Sequence, residues 1–197
     1  MPTLDFPAAT AHFEPDAIVN RSECLYTPRY CEENVFHLAA HAELYGDEPQ
    51  VVFLSNRDSS VAMLSQSERP AGVVIWDYHT ILVTRSDQWL VWDLDSILPF
   101  PCDARRYVVA SLPFDVPQQY RPLLRVIDAA EYRAGFFSDR RHMRNEHGSF
   151  QAPPPSWPAI RGSEGSNLHQ YIDMDETGPG RVLTVTEFLH TFAQPHR

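Results

Sequence analysis

The sequence predicts one mixed α/β domain, and three observations carry that prediction. The chain has 197 residues, 43% of them hydrophobic and 12% aromatic, enough for a buried core and unlike a disordered composition. Helical and extended patterns interleave along it. Finally, an apolar stretch rich in β-branched and aromatic residues, GVVIWDYHTILVT, is followed by a short polar turn and a second such stretch, the signature of a β-hairpin.

The elements follow in order. Residues 1–21 are polar and proline-spotted and read as a flexible or loosely docked arm. A helix is predicted from about Tyr30, because Val35, Leu38, Ala39 and Ala42 recur at helical spacing and Gly46 supplies a stop. Cys31, four residues before Val35, shares the core-facing stripe at its N-terminal end. VVFLS (Val51 to Ser55) reads as a buried strand. Gly72 to Thr84 reads as one long strand, Arg85 to Asp87 as a turn, and Gln88 to Ser96 as the second arm, ended by LPFPC. Further strands are predicted at Leu124–Ile127 and in RVLTV, a short helix from about Ala129 and a helical turn in NLHQYIDM. Ala152 to Pro158 should lie extended across the surface, and Thr186 is available to cap the closing helix TEFLHTF. There is no internal repeat and no internal domain boundary.

Bulk properties narrow the function. The formal charge is −10, which argues against a nucleic-acid surface, since phosphate binding needs a basic patch. No apolar run approaches the length of a membrane span, and the N-terminal stretch has neither the basic nor the apolar region of a signal peptide. Three cysteines without a CxxC pair give no disulfide framework and no zinc knuckle, so a reducing compartment is expected.

The hairpin also places chemistry. If Thr84 pairs with Gln88 around a three-residue loop, antiparallel partners have residue numbers summing to 172. His79 then faces Asp93, and Asp77 faces Asp95 on the same side, whereas an even-length loop would send the pairs to opposite faces. Cys31 is the third element. A helix N-terminus and a neighbouring imidazolium both favour a thiolate, although Glu32 and Glu33 oppose it. A Cys-His-Asp triad is one reading of these residues. A small core cysteine, a hydrogen-bonded strand histidine and a strand-ending aspartate is the other. Cys24 and Cys102 lack a matching base. His37 and His41 have the i, i+4 spacing of zinc ligands but no evident third ligand, and read as solvated helix-face residues. SDRRHM reads either as part of a site rim or as a structural salt-bridge turn. Tyr30, Trp76 and Tyr78 are candidate pocket walls, and Asp77, Asp95, Glu32 and Glu33 are candidate acids for a cationic group of a substrate.

Several long motifs resemble the protein N-terminal glutamine amidohydrolase family: YCEENV, VIWDYH, DLDSILPFPC, FFSDRRHM, the proline run before Trp157, NLHQYIDMD and VLTVTEFLHTF. The resemblance runs in order from about Cys24 to Phe192, leaving the N-terminal arm outside it. It implies a single-domain, monomeric α-β-α three-layer sandwich with a mainly antiparallel sheet and a catalytic core related to papain-like proteases and transglutaminases. It also implies a triad of Cys31, His79 and Asp93, with no metal or organic cofactor. The implied substrates are proteins or peptides with a free N-terminal glutamine, converted to glutamate with loss of ammonia in N-degron signalling, in the cytoplasm and, in a eukaryote, the nucleus. The alternatives are a cysteine peptidase, a transglutaminase-like acyl transferase, and a module that binds N-degrons without turnover.

Overall fold

Val51 to Leu54 point alternately into two apolar cores. The computed structural model describes residues 20–40, 47–175 and 177–193, and places these four at the centre of strand β1 (Asp47–Ser55). Val51 and Phe53 pack with residues of α1 (Cys31–Leu38), α3 (Ala129–Gly135) and α4 (His169–Ile172). Val52 and Leu54 pack with residues of α2 (Ala104–Ser111) and α5 (Val185–Phe192). Burial on both faces is why the strand reads as an unbroken apolar run. Each such side chain contributes about 1.5–3 kcal/mol when fully buried.

The sheet has six antiparallel strands, in the order β6 (Cys102–Asp103), β5 (Trp89–Trp92), β4 (His79–Arg85), β1, β7 (Leu123–Asp128) and β8 (Arg181–Thr184). A separate two-stranded sheet joins β2 (Val61–Met63) to β3 (Val74–Trp76). Helices thus cover both faces of a mainly antiparallel sheet. Buried Arg125 of β7 ties the loop before β8 in place, donating to the carbonyls of Asp173, Asp175 and Pro179. Gly180 in that loop has φ +69°, and a Cβ there would lie 2.1 Å from the Val126 carbonyl oxygen, so only glycine fits.

Several expectations need correction. The stretch from Gly72 to Thr84 is not one strand. It breaks at Asp77–Tyr78, where the chain leaves the small sheet for the large one and Ser55 Oγ donates to the Asp77 carbonyl at 2.9 Å. The hairpin keeps a three-residue loop, but over residues 86–88, with Arg85 opposite Trp89 and Leu82 opposite Trp92. Partner numbers therefore sum to 174: the parity is as expected and the register is not. Because β5 stops at Trp92, Asp93 and Asp95 lie in the turn beyond it, and the expected cross-strand pairs of His79 with Asp93 and Asp77 with Asp95 do not form. Thr184, not Thr186, caps α5, because α5 starts at Val185. The Thr184 hydroxyl accepts from the Glu187 N–H at 3.3 Å and the Glu187 carboxylate accepts from the Thr184 N–H at 2.8 Å. The regular part of α1 ends at Leu38. Ala42, Gly46, His41 and nearly all of the N-terminal arm lie outside the described residues. At the arm's end Arg21 is docked, donating to the Leu98 carbonyl at 2.9 Å.

Candidate active site

Cys31 opens α1 and is 8% exposed. Its thiol lies 3.6 Å from Thr80 Oγ1, with the His79 ring near enough to lower its pKa. His79 opens β4 opposite Leu54, and by strand alternation shares the side of Ile81 and Val83, which pack toward α2. Its Nε2 lies 3.0 Å from Asp93 Oδ1, which leaves Nδ1 as the nitrogen for Cys31. Asp93 in turn accepts from the Tyr107 hydroxyl of α2 at 2.8 Å, from Gln66 Nε2 at 3.4 Å and from the Asp95 N–H at 2.9 Å. The thiol is thus supplied by the α1 layer and the support of the His–Asp pair by the α2 layer, and they meet at the start of β4. The structure brings together the three residues singled out from sequence, by a turn rather than by the expected strand pairing.

The electrostatics of this cluster are set by burial and by one ion pair. Burial pushes the Cys31 thiol up to about 11, and the contact with His79 only partly opposes it. Desolvation and the helix terminus thus act on the thiol in opposite directions. Burial alone would pull His79 down, but the charge and hydrogen bond of Asp93, with the Cys31 contact, lift it well above the ordinary imidazole range. Burial would likewise raise Asp93, and His79, Tyr107 and the Asp95 N–H outweigh it, so the Asp93 carboxyl sits below its usual value. Asp95 moves the other way, raised first by its own burial and further by the Asp93 charge, against His79.

Cys31 and His79 lie in a cleft of about 380 Å³ lined also by Arg29, Trp76, Asp77, Tyr78, Asp95 and His142. Asp77, Asp95 and Tyr78 therefore border the cleft as expected. Asp95 also accepts from the Tyr26 hydroxyl at 2.6 Å, and Trp76 stacks on the His79 ring at 6.4 Å between centroids. Tyr30 does not border it: its side chain is fully buried and its hydroxyl donates to the Ala152 carbonyl. Glu33 is also unavailable to a substrate, since Arg140 holds it through two contacts of 2.7 Å and Trp157 Nε1 donates to it at 2.9 Å. His37 is partly buried rather than freely solvated; its ring packs edge-on against Trp157 at 5.1 Å, and burial lowers its pKa.

The SDRRHM segment supplies residues that the sequence reading did not single out. Arg140, in a left-handed conformation (φ 63°), pairs with Glu33, and two residues on His142 pairs with Glu32. Their only signal was the pair of acids beside Cys31, each of which needs a counter-charge once buried. Tyr107 and Gln66, which hold Asp93, carried no signal because their contacts are long-range. His79, Asp93 and Asp95 present donor atoms within 4.8 Å of one another. His79 Nε2 and both Asp93 oxygens are already engaged in hydrogen bonds. A larger cavity, about 730 Å³ between Phe114, Arg121 and Thr184, contains no cysteine or histidine.

Residues 26–192 match the family model described as N-terminal glutamine amidase. The chain is 40% identical to a protein N-terminal glutamine amidohydrolase of Bos taurus, over 94% of this chain and 95% of that protein. It is 38% identical to the one of Homo sapiens, over 93% and 95%, and 38% identical to the one of Drosophila melanogaster, over 89% and 92%. With a match that spans the cleft and everything that supports it, the chain belongs to the N-terminal glutamine amidase family.

Proposed function

We propose that this protein hydrolyses the side-chain carboxamide of an N-terminal glutamine in proteins and peptides, giving glutamate and ammonia, with Cys31, His79 and Asp93 as its catalytic groups. The observation that carries the reading is the contiguous series Cys31–His79–Asp93 at the wall of a cleft sized for a side chain, in a member of this family. Cys31 and His79 share one proton; with it held on His79 as imidazolium, the sulfur bonds as a thiolate to the carboxamide carbon. The oxyanion formed is stabilised by N–H groups of the first turn of α1, which the helix's own ladder leaves unused. His79 then protonates the departing nitrogen, the C–N bond breaks, and ammonia leaves a thioester. Water, deprotonated by His79, adds to the thioester, the C–S bond breaks, and the product carboxylic acid leaves Cys31 free. Asp93 fixes the ring orientation and stabilises the imidazolium in both halves.

The acids Asp77 and Asp95 at the cleft are the groups we assign to the substrate's α-ammonium, with Tyr78 as a wall. We further read the chain as a monomer with a single catalytic domain over residues 22–197, a papain- and transglutaminase-like core, and a cytoplasmic location. The test is mass spectrometry of a Gln-initiated peptide, its N-acetylated form and a peptide with internal glutamine. A Gln-to-Glu mass change confined to the free N-terminal glutamine, with ammonia released and no peptide cleaved, is expected. Equal turnover of internal glutamine would overturn the assignment.

A further inference from the structure

Glu32 follows the nucleophile directly in the chain and is completely buried. Its Oε2 lies 3.9 Å from the Cys31 sulfur and accepts from the Tyr78 hydroxyl at 2.9 Å. A carboxylate at that distance opposes formation of a thiolate, and neither Tyr78 nor the helix terminus cancels a full charge. The other oxygen, Oε1, has no aligned hydrogen bond but lies 3.3 Å from His142 Nε2. His142 borders the catalytic cleft on the side of Tyr78, whose hydroxyl is 3.4 Å from the same nitrogen.

From this arrangement we infer that His142 is a positioning residue that, as an imidazolium, neutralises Glu32 and so permits the Cys31 thiolate to form at neutral pH. The inference rests on the reading of Cys31 as the nucleophile. His142 does not touch the sulfur; it acts through the acid beside it. The charged groups facing it are Glu32 and Glu33 from α1, and Asp77, with the Tyr78 phenol, from the β3–β4 junction. Glu33 is already paired with Arg140, and Arg141 of its own turn is paired with Asp139. Glu32 and Asp77 are left to act on His142. Burial alone would pull its pKa down, but the Glu32 carboxylate beside Nε2 outweighs burial and raises it. Nδ1 has no partner among the described residues in either protonation state, so the balance is decided at Nε2. A neutral His142 would leave Glu32 uncompensated next to the sulfur, so that a higher pH is needed to form the thiolate.

The test is the rate of Cys31 alkylation by iodoacetamide as a function of pH, read by peptide mass spectrometry in the folded full chain. His142→Gln should raise the midpoint by about one to two pH units and slow alkylation at pH 7 about ten- to hundredfold. His142→Lys, which keeps a charge, should restore the rate at pH 7. Glu32→Gln should lower the midpoint, and in that background His142→Gln should have no further effect. A merely structural histidine predicts the opposite pattern: no rescue by lysine and an undiminished effect in the Glu32→Gln background. Either result, or a midpoint unchanged in His142→Gln, would overturn the inference. If His142→Gln fails to fold, Glu32→Gln decides alone, since an unchanged midpoint there removes the charge that His142 is said to offset. Turnover of a Gln-initiated peptide is followed in parallel. Shifted alkylation without turnover in the wild type would sink the proposed function and leave the inference standing; normal turnover with unshifted alkylation would do the reverse.

Discussion

Arg140→Met is the perturbation that best tests how α1 is held. In the native protein the guanidinium makes two contacts of 2.7 Å with the fully buried Glu33 carboxylate and donates to the Trp157 carbonyl at 2.9 Å. Methionine fills most of the space but removes the charge, so Glu33 is left buried with a single donor, Trp157 Nε1. Breaking a buried pair on one side typically costs about 3–5 kcal/mol, because the remaining charge has lost its compensation. The surviving Trp157 bond places this case at the lower end, about 3 kcal/mol. For a chain of this size that corresponds to a fall in Tm of roughly 6–12 °C. The assay is thermal unfolding by circular dichroism of Arg140→Met, Glu33→Gln and the double variant. In the double variant the amide still accepts from Trp157 and no charge is buried, so it should recover most of the loss. A loss below about 1 kcal/mol in Arg140→Met, or a double variant as unstable as the two single losses added together, would refute the reasoning.

Cys31→Ala should abolish turnover with little change in Tm, and Cys31→Ser should be nearly as inactive, as a hydroxyl is far harder to ionise; alkylation mapping to Cys24 or Cys102 instead would count against both. Asp93→Asn should lower kcat about 10³–10⁴-fold with little change in KM, measured on a Gln-initiated peptide. Asp93 and Asp95 should also differ in sign in pH-dependent unfolding. The Asp93 carboxyl lies below its ordinary value, so its contribution is complete above about pH 4 and is lost as the pH falls through the lowered value; Asp93→Asn should flatten that acid limb. Asp95 lies above its ordinary value, so its ionised form costs stability once the pH exceeds about 4; Asp95→Asn should raise Tm at neutral pH while raising KM for the free-amine peptide. Gly180→Ala should destabilise the domain by more than about 1 kcal/mol, since it adds both an unfavourable φ and a clash with the Val126 carbonyl.

What could be read from sequence was local. Periodicity located β1, β7, β8 and α3, and the three-residue loop gave the correct parity for the hairpin even though the strands slip by two in the sum. That parity brought His79 and Asp93 under suspicion, yet the pair is made by the turn after β5, where Asp93 is pulled toward Tyr107 and Gln66. Turn geometry of this kind depends on residues from α2 and from the segment after β2, which no window around Asp93 contains. The single long strand failed for a similar reason. Val74 to Thr84 has uniform β propensity, and only the competition of two sheets for it explains the break at Asp77. The helix terminus beside the thiol is visible in sequence, whereas its desolvation is not. The partners of Glu32 and Glu33 were present in a recognised motif, but nothing local says which basic residue reaches which acid.

The pairing of α1 with the 140–142 turn also has a consequence for the order in which the chain can become native. Glu33 and Arg140 are 107 residues apart, and Glu32 is separated still farther from His142. During synthesis α1 emerges early, carrying two acids that must be buried for Cys31 to sit at the cleft. Their counter-charges are added only after more than half of the chain has followed. Until then the acids favour keeping that end of α1 in water, so the N-terminal half has reason to stay loose even though β1, β4 and β5 are already complete. Closure of the site is therefore a late, cooperative event of the whole domain, and a truncated or nascent chain should carry an accessible but catalytically idle Cys31.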